Sequence, residues 1–389
     1  MRFLMLNWRD PKNPEAGGAE RVSEGYWRGL LERGHEVWWF AFFFPGAPAE
    51  ENLDGLRIVR RGGKGTAIWA AWKWVRRQPK FDLVVDQHHG LPWYAPWWCR
   101  THCLAYIHEV LGPIWYSFYR GWTARFGEWQ ERFHIRLYRR VPFWTSAGST
   151  ARMLRELGVR TVVRIPYGVD TEALPTLPPK PLGLPLRLAV VSRLAPNKRV
   201  DHALRVVRIL LDRNVPVQMV VVGSGVDEQK LHGLARELEL GPAVEFTGRV
   251  SEQQKLQILQ KAHFLIHTSL REGWGLNVIE ANAMGTPAVV YPAPGLTEST
   301  LHDRTGIVVA RESPQAIADA LQEILPDPDR YERYRQAAWE RAKKFHWSRI
   351  LPVACDWLEK VASGKVIQPK EFEWFRKETE PTPLFVSSC

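Results

Sequence analysis

Three short segments carry charged residues and glycines at spacings that can do chemistry. The most specific is His267-Thr-Ser-Leu-Arg-Glu272-Gly-Trp-Gly-Leu-Asn-Val-Ile-Glu280. Glu272 falls in a glycine-rich turn after an apolar run, and Glu280 falls about one turn into the amphipathic stretch that follows. An ionised carboxylate only accepts hydrogen bonds, so Glu280 can take both hydroxyls of a cis-diol. Glu272, with the N–H groups of its turn, can address a polyhydroxylated ligand. Gly273, Trp274 and Gly275 give Glu272 an apolar setting that an ordinary surface glutamate lacks. The second segment is Ser192-Arg193-Leu-Ala-Pro-Asn-Lys198-Arg199, again just after an apolar run. Two cations flanking a turn at a strand's carboxyl end are placed to hold a diphosphate. A unit charge pair at about 4 Å is worth about 4 kcal/mol at an effective dielectric of 20, against about 0.3–1 kcal/mol for a helix terminus. The cations would therefore dominate such a site. The third segment is Pro14-Glu-Ala-Gly17-Gly18-Ala-Glu20, which reads equally as a tight strand-to-helix turn or as a close-approach anion cradle. No dinucleotide fingerprint is present, since Gly223-Ser-Gly225 lacks the third glycine.

These segments need elements to position them. In the first half, Arg2–Trp8, His35–Phe43, Phe81–Asp86 and Thr101–His108 read as strands, with a helix over Ala19–Arg33. In the second half, strands are expected over Leu186–Arg193, Val217–Gly223, Val244–Gly248, Phe264–Thr268 and Pro287–Tyr291. Helices are expected near Asp201–Arg213, Glu228–Leu240, Glu252–Ala262 and Leu276–Ala283. Strand–helix alternation over both halves predicts an α/β protein of two doubly wound, parallel-sheet domains, with ligands in a cleft at the strands' carboxyl ends. A run of five prolines in Leu174–Pro185 excludes helix interior and central strand, and reads as a stiff linker. The expected division is residues 1–176, a linker at 177–185, a second domain over 186–346, a helix over 347–363 packing back on the first domain, and a tail of uncertain order over 364–389. Residues 1–180 hold 26 Lys/Arg against 17 Asp/Glu and 14 of the 19 tryptophans, whereas the remainder is near neutral. That asymmetry predicts different tasks for the two domains.

In this order, the Gly17-Gly18-Ala-Glu20 turn, the Ser192-Arg193…Lys198 segment and the Glu272-x7-Glu280 motif resemble the retaining, nucleotide-sugar-dependent glycosyltransferases of the GT-B fold, family 4. Ile165-Pro-Tyr-Gly-Val-Asp170, Val221-Val-Gly-Ser-Gly225, Phe246-Thr-Gly-Arg-Val250 and Pro294-Gly-Leu-Thr-Glu298…Thr305-Gly-Ile-Val308 add to the resemblance, which covers about residues 1–362. It implies two Rossmann-like domains facing across a cleft, with the donor held by the second and the acceptor by the first. It assigns Arg193 and Lys198 to the donor diphosphate, with Gly17 and Gly18 approaching the phosphates. Glu280 is similar to the residue that holds the ribose. Glu272 and the backbone from Gly273 through Trp274 and Gly275 to Leu276 match the segment that contacts the transferred sugar. Arg249 and Val250 fall where the family holds the base, and His108 matches a histidine that reaches the sugar. Tyr167 stands where the family usually has Asn, and Trp274 where Phe is commoner. His88 and His89 receive no role.

The resemblance implies transfer of a hexose from a UDP- or GDP-linked sugar to an acceptor hydroxyl, with no cofactor and no metal. The sole Asp-x-Asp triplet, Asp327-Pro328-Asp329, reads as a helix cap. The alternatives are a sugar-nucleotide epimerase or a non-catalytic nucleotide-sugar-binding protein of the same fold. Nucleic acid is not an expected partner despite the net charge of +11, because the basic residues belong to no recognised binding module. Four cysteines are too few for a disulfide scaffold. No apolar run reaches the ~18 residues of a membrane span, so the expected location is cytoplasmic. A peripheral membrane contact remains an expectation of the first domain. There, Trp115, Tyr116, Phe118, Tyr119, Trp122, Phe126, Trp129, Phe133, Tyr138 and Trp144 alternate with six arginines, and a second cluster spans Trp69–Arg77. A lipid-linked or envelope glycan acceptor would follow from such a contact.

Overall fold

The computed structural model describes residues 1–379, apart from the side chains of Pro113 and Phe118. The chain forms two compact units. One comprises Met1–Trp115, Gly121–Gly168 and Trp347–Lys377, and the other is essentially Val169–His346.

The first unit is built on an eight-stranded sheet of β1 (Arg2–Leu6), β2 (Glu36–Ala41), β3 (Glu50–Leu53), β4 (Leu56–Arg60), β5 (Leu83–His88), β6 (His102–Ile107), β7 (Phe143–Thr145) and β8 (Val162–Arg164). Their order is β3-β4-β2-β1-β5-β6-β7-β8, and every pairing is parallel except β3 with β4. That hairpin turns on Asp54-Gly55, both at positive φ (51° and 95°), a two-residue turn whose twist suits antiparallel strands. β1 and β5 are buried along nearly their whole length, the pattern of parallel strands covered on both faces.

Helix Trp347–Ala362 packs against helix Gly18–Glu32. Two glycines make this approach feasible: a Cβ on Gly25 would collide with the Trp347 ring, and one on Gly29 would sit 2.9 Å from Cys355 Sγ. Arg33, at the end of the shorter helix, bonds Asp356, Glu359 and the Pro352 carbonyl. Beyond this pair the chain stays ordered. Gln368 bonds both backbone groups of Arg164, and Phe372 and Phe375 are buried. Part of the expected tail is thus structured, because it carries two aromatic anchors; residues 380–389 lie outside the described residues.

The second unit holds β9 (Leu186–Val191), β10 (Val217–Val222), β11 (Val244–Gly248), β12 (Phe264–His267), β13 (Ala288–Val290) and β14 (Gly306–Val308). The order is β11-β10-β9-β12-β13-β14, all parallel. Numbered within this unit it is the 3-2-1-4-5-6 order of doubly wound sheets, with its switch point between β9 and β12. The proline-rich segment does not act as a free spacer. Lys180 is buried and donates to the Ala262 carbonyl, Arg335 donates to the Pro178 carbonyl, and Trp339 donates to the Leu174 carbonyl. Two of these bonds are accepted by the segment's own carbonyls, at Leu174 and Pro178, and the third is donated by its Lys180, so the segment seats on the second unit and the division falls earlier, at Gly168.

Candidate active site

Of the residues that the resemblance assigns to the donor, Arg193, Lys198 and Glu272 lie in the loops that follow β9 and β12, at the switch point of the second unit. After β9 the chain makes a 3-10 turn over Pro196–Lys198, and Arg199 then adopts a left-handed conformation (φ 48°). After β12 the chain runs through Thr268–Gly275 into helix Leu276–Ala283. The two loops are stitched together. Thr268 Oγ1 donates to the carbonyls of Lys198 and Arg199, Arg199 Nε donates to the Thr268 carbonyl, and the Leu270 amide donates to Asn197 O. Asn277 Nδ2 ties the start of the helix to the Val191 carbonyl at 2.6 Å.

Lys198 and Glu272 meet within this frame. Lys198 Nζ donates to Glu272 Oε1 at 2.5 Å, Ser269 Oγ donates to the same oxygen at 2.7 Å, and His267 Nε2 lies 3.5 Å from it. Burial pushes the Glu272 carboxyl up, but Lys198, His267 and Ser269 together outweigh it, and the net shift is downward. Burial, opposed in part by Glu272, holds His267 down at about 4, so its imidazole is neutral at pH 7. Arg193 differs from Lys198. It is exposed, and its guanidinium has no hydrogen bond or ion pair among the described residues. One cation of the expected pair is therefore uncommitted, and the other is shared with a carboxylate.

Glu280 is buried in the helix and accepts from Lys255 Nζ at 2.8 Å. Lys255 also reaches Glu252, one turn earlier on helix Glu252–Lys261. Sequence reading missed Lys255, since an i,i+3 Glu–Lys pair on a polar helix looks like surface. The one available signal was its place on the helix preceding the β12 segment. Arg249 Nε donates to Ser224 Oγ at 2.9 Å, which places Arg249 and the adjacent Val250 beside the Gly223–Gly225 turn. That turn presses on the β9 loop: Gly223 sits at φ 130°, where a Cβ would strike the Ser192 carbonyl. Its glycines thus serve loop-to-loop packing within the fold. Gly273, Gly275 and Leu276 lead into the helix as expected. The Trp274 ring, in contrast, is 1% exposed and packs beside Phe345 and the Arg341 guanidinium, so the side chain belongs to the core and only its backbone borders the turn.

The remaining residues belong to the first unit. Gly17 caps helix Gly18–Glu32, and its amide donates to Glu20 Oε2 at 2.8 Å. That carboxylate occupies the helix start, where a phosphate would compete with it. A Cβ on Gly17 would meet only Glu20 Oε2, at 3.9 Å, so the fold itself leaves open space there. His108, just past β6, is 8% exposed. Its Nδ1 lies 2.7 Å from the Tyr167 hydroxyl, and its Nε2 is buried with no partner among the described residues. Burial, helped by nearby His89, brings its pKa down to about 3, so the ring is neutral. Tyr167, where the family usually has Asn, therefore holds His108. The sequence marked the position as a departure and gave no sign of the contact. His88 is buried against Tyr138 and Phe143 and serves packing.

A doubly wound sheet with cations and carboxylates at its switch point, joined in one chain to a second doubly wound unit, is a two-domain α/β architecture with a charged ligand site where such sheets bind their ligands. The comparisons narrow this class. The model of Glycosyltransferase Family 4 matches residues 16–173, and that of Glycosyl transferases group 1 matches residues 183–341. The chain belongs to this family of GT-B glycosyltransferases. A glycogen synthase of Mycobacterium tuberculosis is 28% identical over 385 residues, 90% of this chain and 92% of that protein. A D-inositol 3-phosphate glycosyltransferase of Corynebacterium aurimucosum is 31% identical over 191 residues, 47% of this chain and 45% of that one, so the match spans about half of that relative's length. Among solved structures, sucrose-phosphate synthase of Thermosynechococcus elongatus superposes with a TM-score of 0.76 at 19% identity, covering 94% of this chain and 100% of that one. The Anabaena protein HepE, in complex with UDP-glucose, gives 0.71 at 16% identity, with 92% and 100% coverage. Both share the fold.

Proposed function

We propose that this chain transfers a hexose from a nucleoside diphosphate sugar to an acceptor hydroxyl, with retention of anomeric configuration and without a divalent metal. The observation that carries the reading is the cluster at the β9/β12 switch point, where Arg193 is uncommitted and Lys198 is shared with Glu272. Departure of the diphosphate is the demanding step, because charge builds on its oxygens as the glycosidic bond breaks. Cations fixed in advance stabilise that charge without reorganising, and each 1.36 kcal/mol is about tenfold in rate. In this reading Arg193 and Lys198 take the phosphates, and Glu280, oriented by Lys255, takes the ribose diol. Glu272, freed from Lys198 as the phosphates arrive, turns its carboxylate to the sugar hydroxyls. His108, on the first unit, keeps an Nε2 with no partner among the described residues, the atom that would serve the role the resemblance gives it. Asp327, of the Asp-x-Asp triplet, accepts from the Arg330 amide at 2.9 Å as a helix cap, a task unrelated to the phosphates.

The finer reading of the acceptor rests on helix Trp122–Leu137. Trp122, Phe126, Trp129 and Phe133 are 77%, 57%, 59% and 50% exposed and form one stripe at helical spacing. Arg125, Arg132 and Arg136 are exposed on the same helix, and Arg139 and Arg140 follow it. Tyr138 and Trp144, by contrast, are core, and the side chain of Phe118 lies outside the described residues. Aromatics seek the membrane interface and arginines its anionic headgroups, at about 1 kcal/mol per basic residue. This supports peripheral attachment to an anionic membrane and a lipid-linked acceptor. Among the described residues no helix is long and apolar enough to cross a membrane.

The test of the reaction is a screen of UDP- and GDP-linked hexoses in chelator, with products analysed with and without acceptor lipids. Acceptor-dependent release of nucleoside diphosphate is expected. Isomerised donor without transfer would replace the reading with an epimerase. For the surface, sedimentation with anionic vesicles at low salt should be lost in Trp122→Ser/Trp129→Ser. Failure of the wild type to sediment removes the membrane assignment.

A further inference from the structure

The second unit has another hollow, at the opposite end of its sheet. It measures about 480 Å³ and is bordered by Pro178, Pro179, Lys180, Arg187, Lys261, Met284 and Arg335, among others. Apart from Arg335, which lies on helix Pro328–Ala342, these residues precede or begin β9, β12 and β13, whereas Arg193, Lys198 and Glu272 follow β9 and β12. At about 3.3 Å per residue, a six-residue strand puts roughly 20 Å between the two ends.

The charge around the hollow is one-sided. Lys180 is 8% exposed, and its ammonium donates to two neutral acceptors, the Ala262 carbonyl at 2.8 Å and Thr286 Oγ1 at 2.5 Å. No carboxylate pairs with it among the described residues. Arg187 spends its Nε on the Lys261 carbonyl, and its terminal nitrogens have no partner among the described residues. Lys261 is exposed and forms no ion pair among the described residues. Arg335 is paired with Glu332, which is half exposed and is the carboxylate that acts on Lys180 among the described residues. His263, beside the cations, is buried and neutral. A buried ammonium without a counter-ion is costly, and like charges add to that cost. Burial, with Arg335 and Arg187 adding and Glu332 opposing, lowers Lys180 to about 6. Among the described residues only the half-exposed Glu332 offsets this cluster, and a bound anion would offset it further and keep Lys180 protonated.

We propose that this hollow is a second ligand site, separate from the donor residues, for a small phosphomonoester with an uncharged body of hexose size. The phosphate would sit against Lys180, Arg187 and Lys261, and the body against Pro178, Pro179 and Met284. The volume lies within the roughly 300–1,000 Å³ of small-molecule sites, and the cations exceed what structural hydrogen bonds consume.

The test uses the full chain carrying Arg193→Ala and Lys198→Ala, so that phosphates cannot bind at the donor residues. Glucose 6-phosphate, inorganic phosphate and glucose are titrated by calorimetry. Glucose 6-phosphate is expected to bind one to one and more tightly than inorganic phosphate, with glucose silent. Adding Arg187→Gln and Lys261→Gln, both on the solvent side of the hollow, should weaken it at least about tenfold through loss of two charge-assisted contacts. Lys180→Met should do the same where the melting temperature shows that it folds. No binding up to about 10 mM, equal affinity for inorganic phosphate, or affinity unchanged by Arg187→Gln and Lys261→Gln would each overturn the proposal.

Discussion

Replacing Lys198 by Ala should remove an attraction and expose a repulsion at once. In the free protein its ammonium lies 2.5 Å from Glu272 Oε1, with the two side chains 17% and 15% exposed. When a diphosphate binds, Lys198 at about 4 Å contributes about 4 kcal/mol at an effective dielectric of 20. Without it, the Glu272 carboxylate faces the phosphates unmasked, and at roughly 6–7 Å this repulsion is worth roughly 2–3 kcal/mol on the same scale. Salt and partial exposure reduce the sum to about 3–4 kcal/mol, or two to three orders of magnitude in kcat/KM. Arg193→Ala loses only a solvent-facing attraction, of the order of 1–2 kcal/mol. The assay is donor kinetics on Arg193→Ala, Lys198→Ala and Lys198→Ala/Glu272→Gln, with the last recovering about tenfold over Lys198→Ala. Stability should follow the same carboxylate. Its lowered pKa means that the pair stabilises the fold above the ordinary carboxylate range, and this is lost as pH falls through the folded value. In Lys198→Ala burial is no longer offset by the ammonium, so the gap in urea midpoint between wild type and variant should narrow from pH 7 towards pH 4. An Arg193→Ala defect as large as that of Lys198→Ala, or no recovery in the double variant, would refute the shared-cation argument.

Three further outcomes follow from the geometry. Glu280→Ala should raise the donor KM more than it lowers kcat, since a ribose contact is similar in ground and transition states. Lys255→Met should reproduce that pattern in weaker form, which donor titrations will show. Tyr167→Phe should cut kcat about tenfold with little change in melting temperature, and nitrogen NMR of His108 should show its Nδ1 resonance displaced. Neutral, buried His88 and His108 (about 3) and His263 and His267 (about 4) sit below their unfolded value near 6.5. Each therefore stabilises the native state above about pH 6.5 and loses about 1.4 kcal/mol per pH unit as pH falls towards its folded value. Chemical denaturation at pH 7, 6 and 5 should show a steep decline, and a flat profile would contradict those burials.

Much of this architecture was legible from hydrophobic runs. β11 and helix Leu276–Ala283 fall where the pattern put them, and the principal strands of both sheets match within a few residues. β7, β8 and β14 are absent from the sequence reading because three-residue strands leave little alternation to read, whereas β13, equally short, sits in the longer apolar run Pro287–Tyr291. β3 and β4 were missed although Asp54-Gly55 is a hairpin signal, because their charged residues mask the apolar face. The site was legible in its charged residues but not in their partners. Spacing alone could not pair Lys198 with Glu272 across seventy-odd positions, Lys255 with Glu280, or Tyr167 with His108. Composition likewise could not sort the tryptophans: Trp129 faces out and Trp144 in, and only the turn of the helix and the register of β7 decide between them.

The close seating of Trp347 on Gly25 bears on how the molecule is made. The first unit needs residues 347–377, so it cannot be completed until the whole of 169–346 and that segment have left the ribosome. The segment 169–346, although synthesised later than the N-terminal sheet, has all its strands in hand earlier relative to its own closure. Until helix Trp347–Ala362 arrives, the nascent N-terminal half exposes the small-residue face of Gly18–Glu32, a sticky groove for chaperones to cover. A gene cut at residue 168 should therefore yield an aggregating fragment, whereas co-expression of 347–377 as a separate peptide should bring it back into solution.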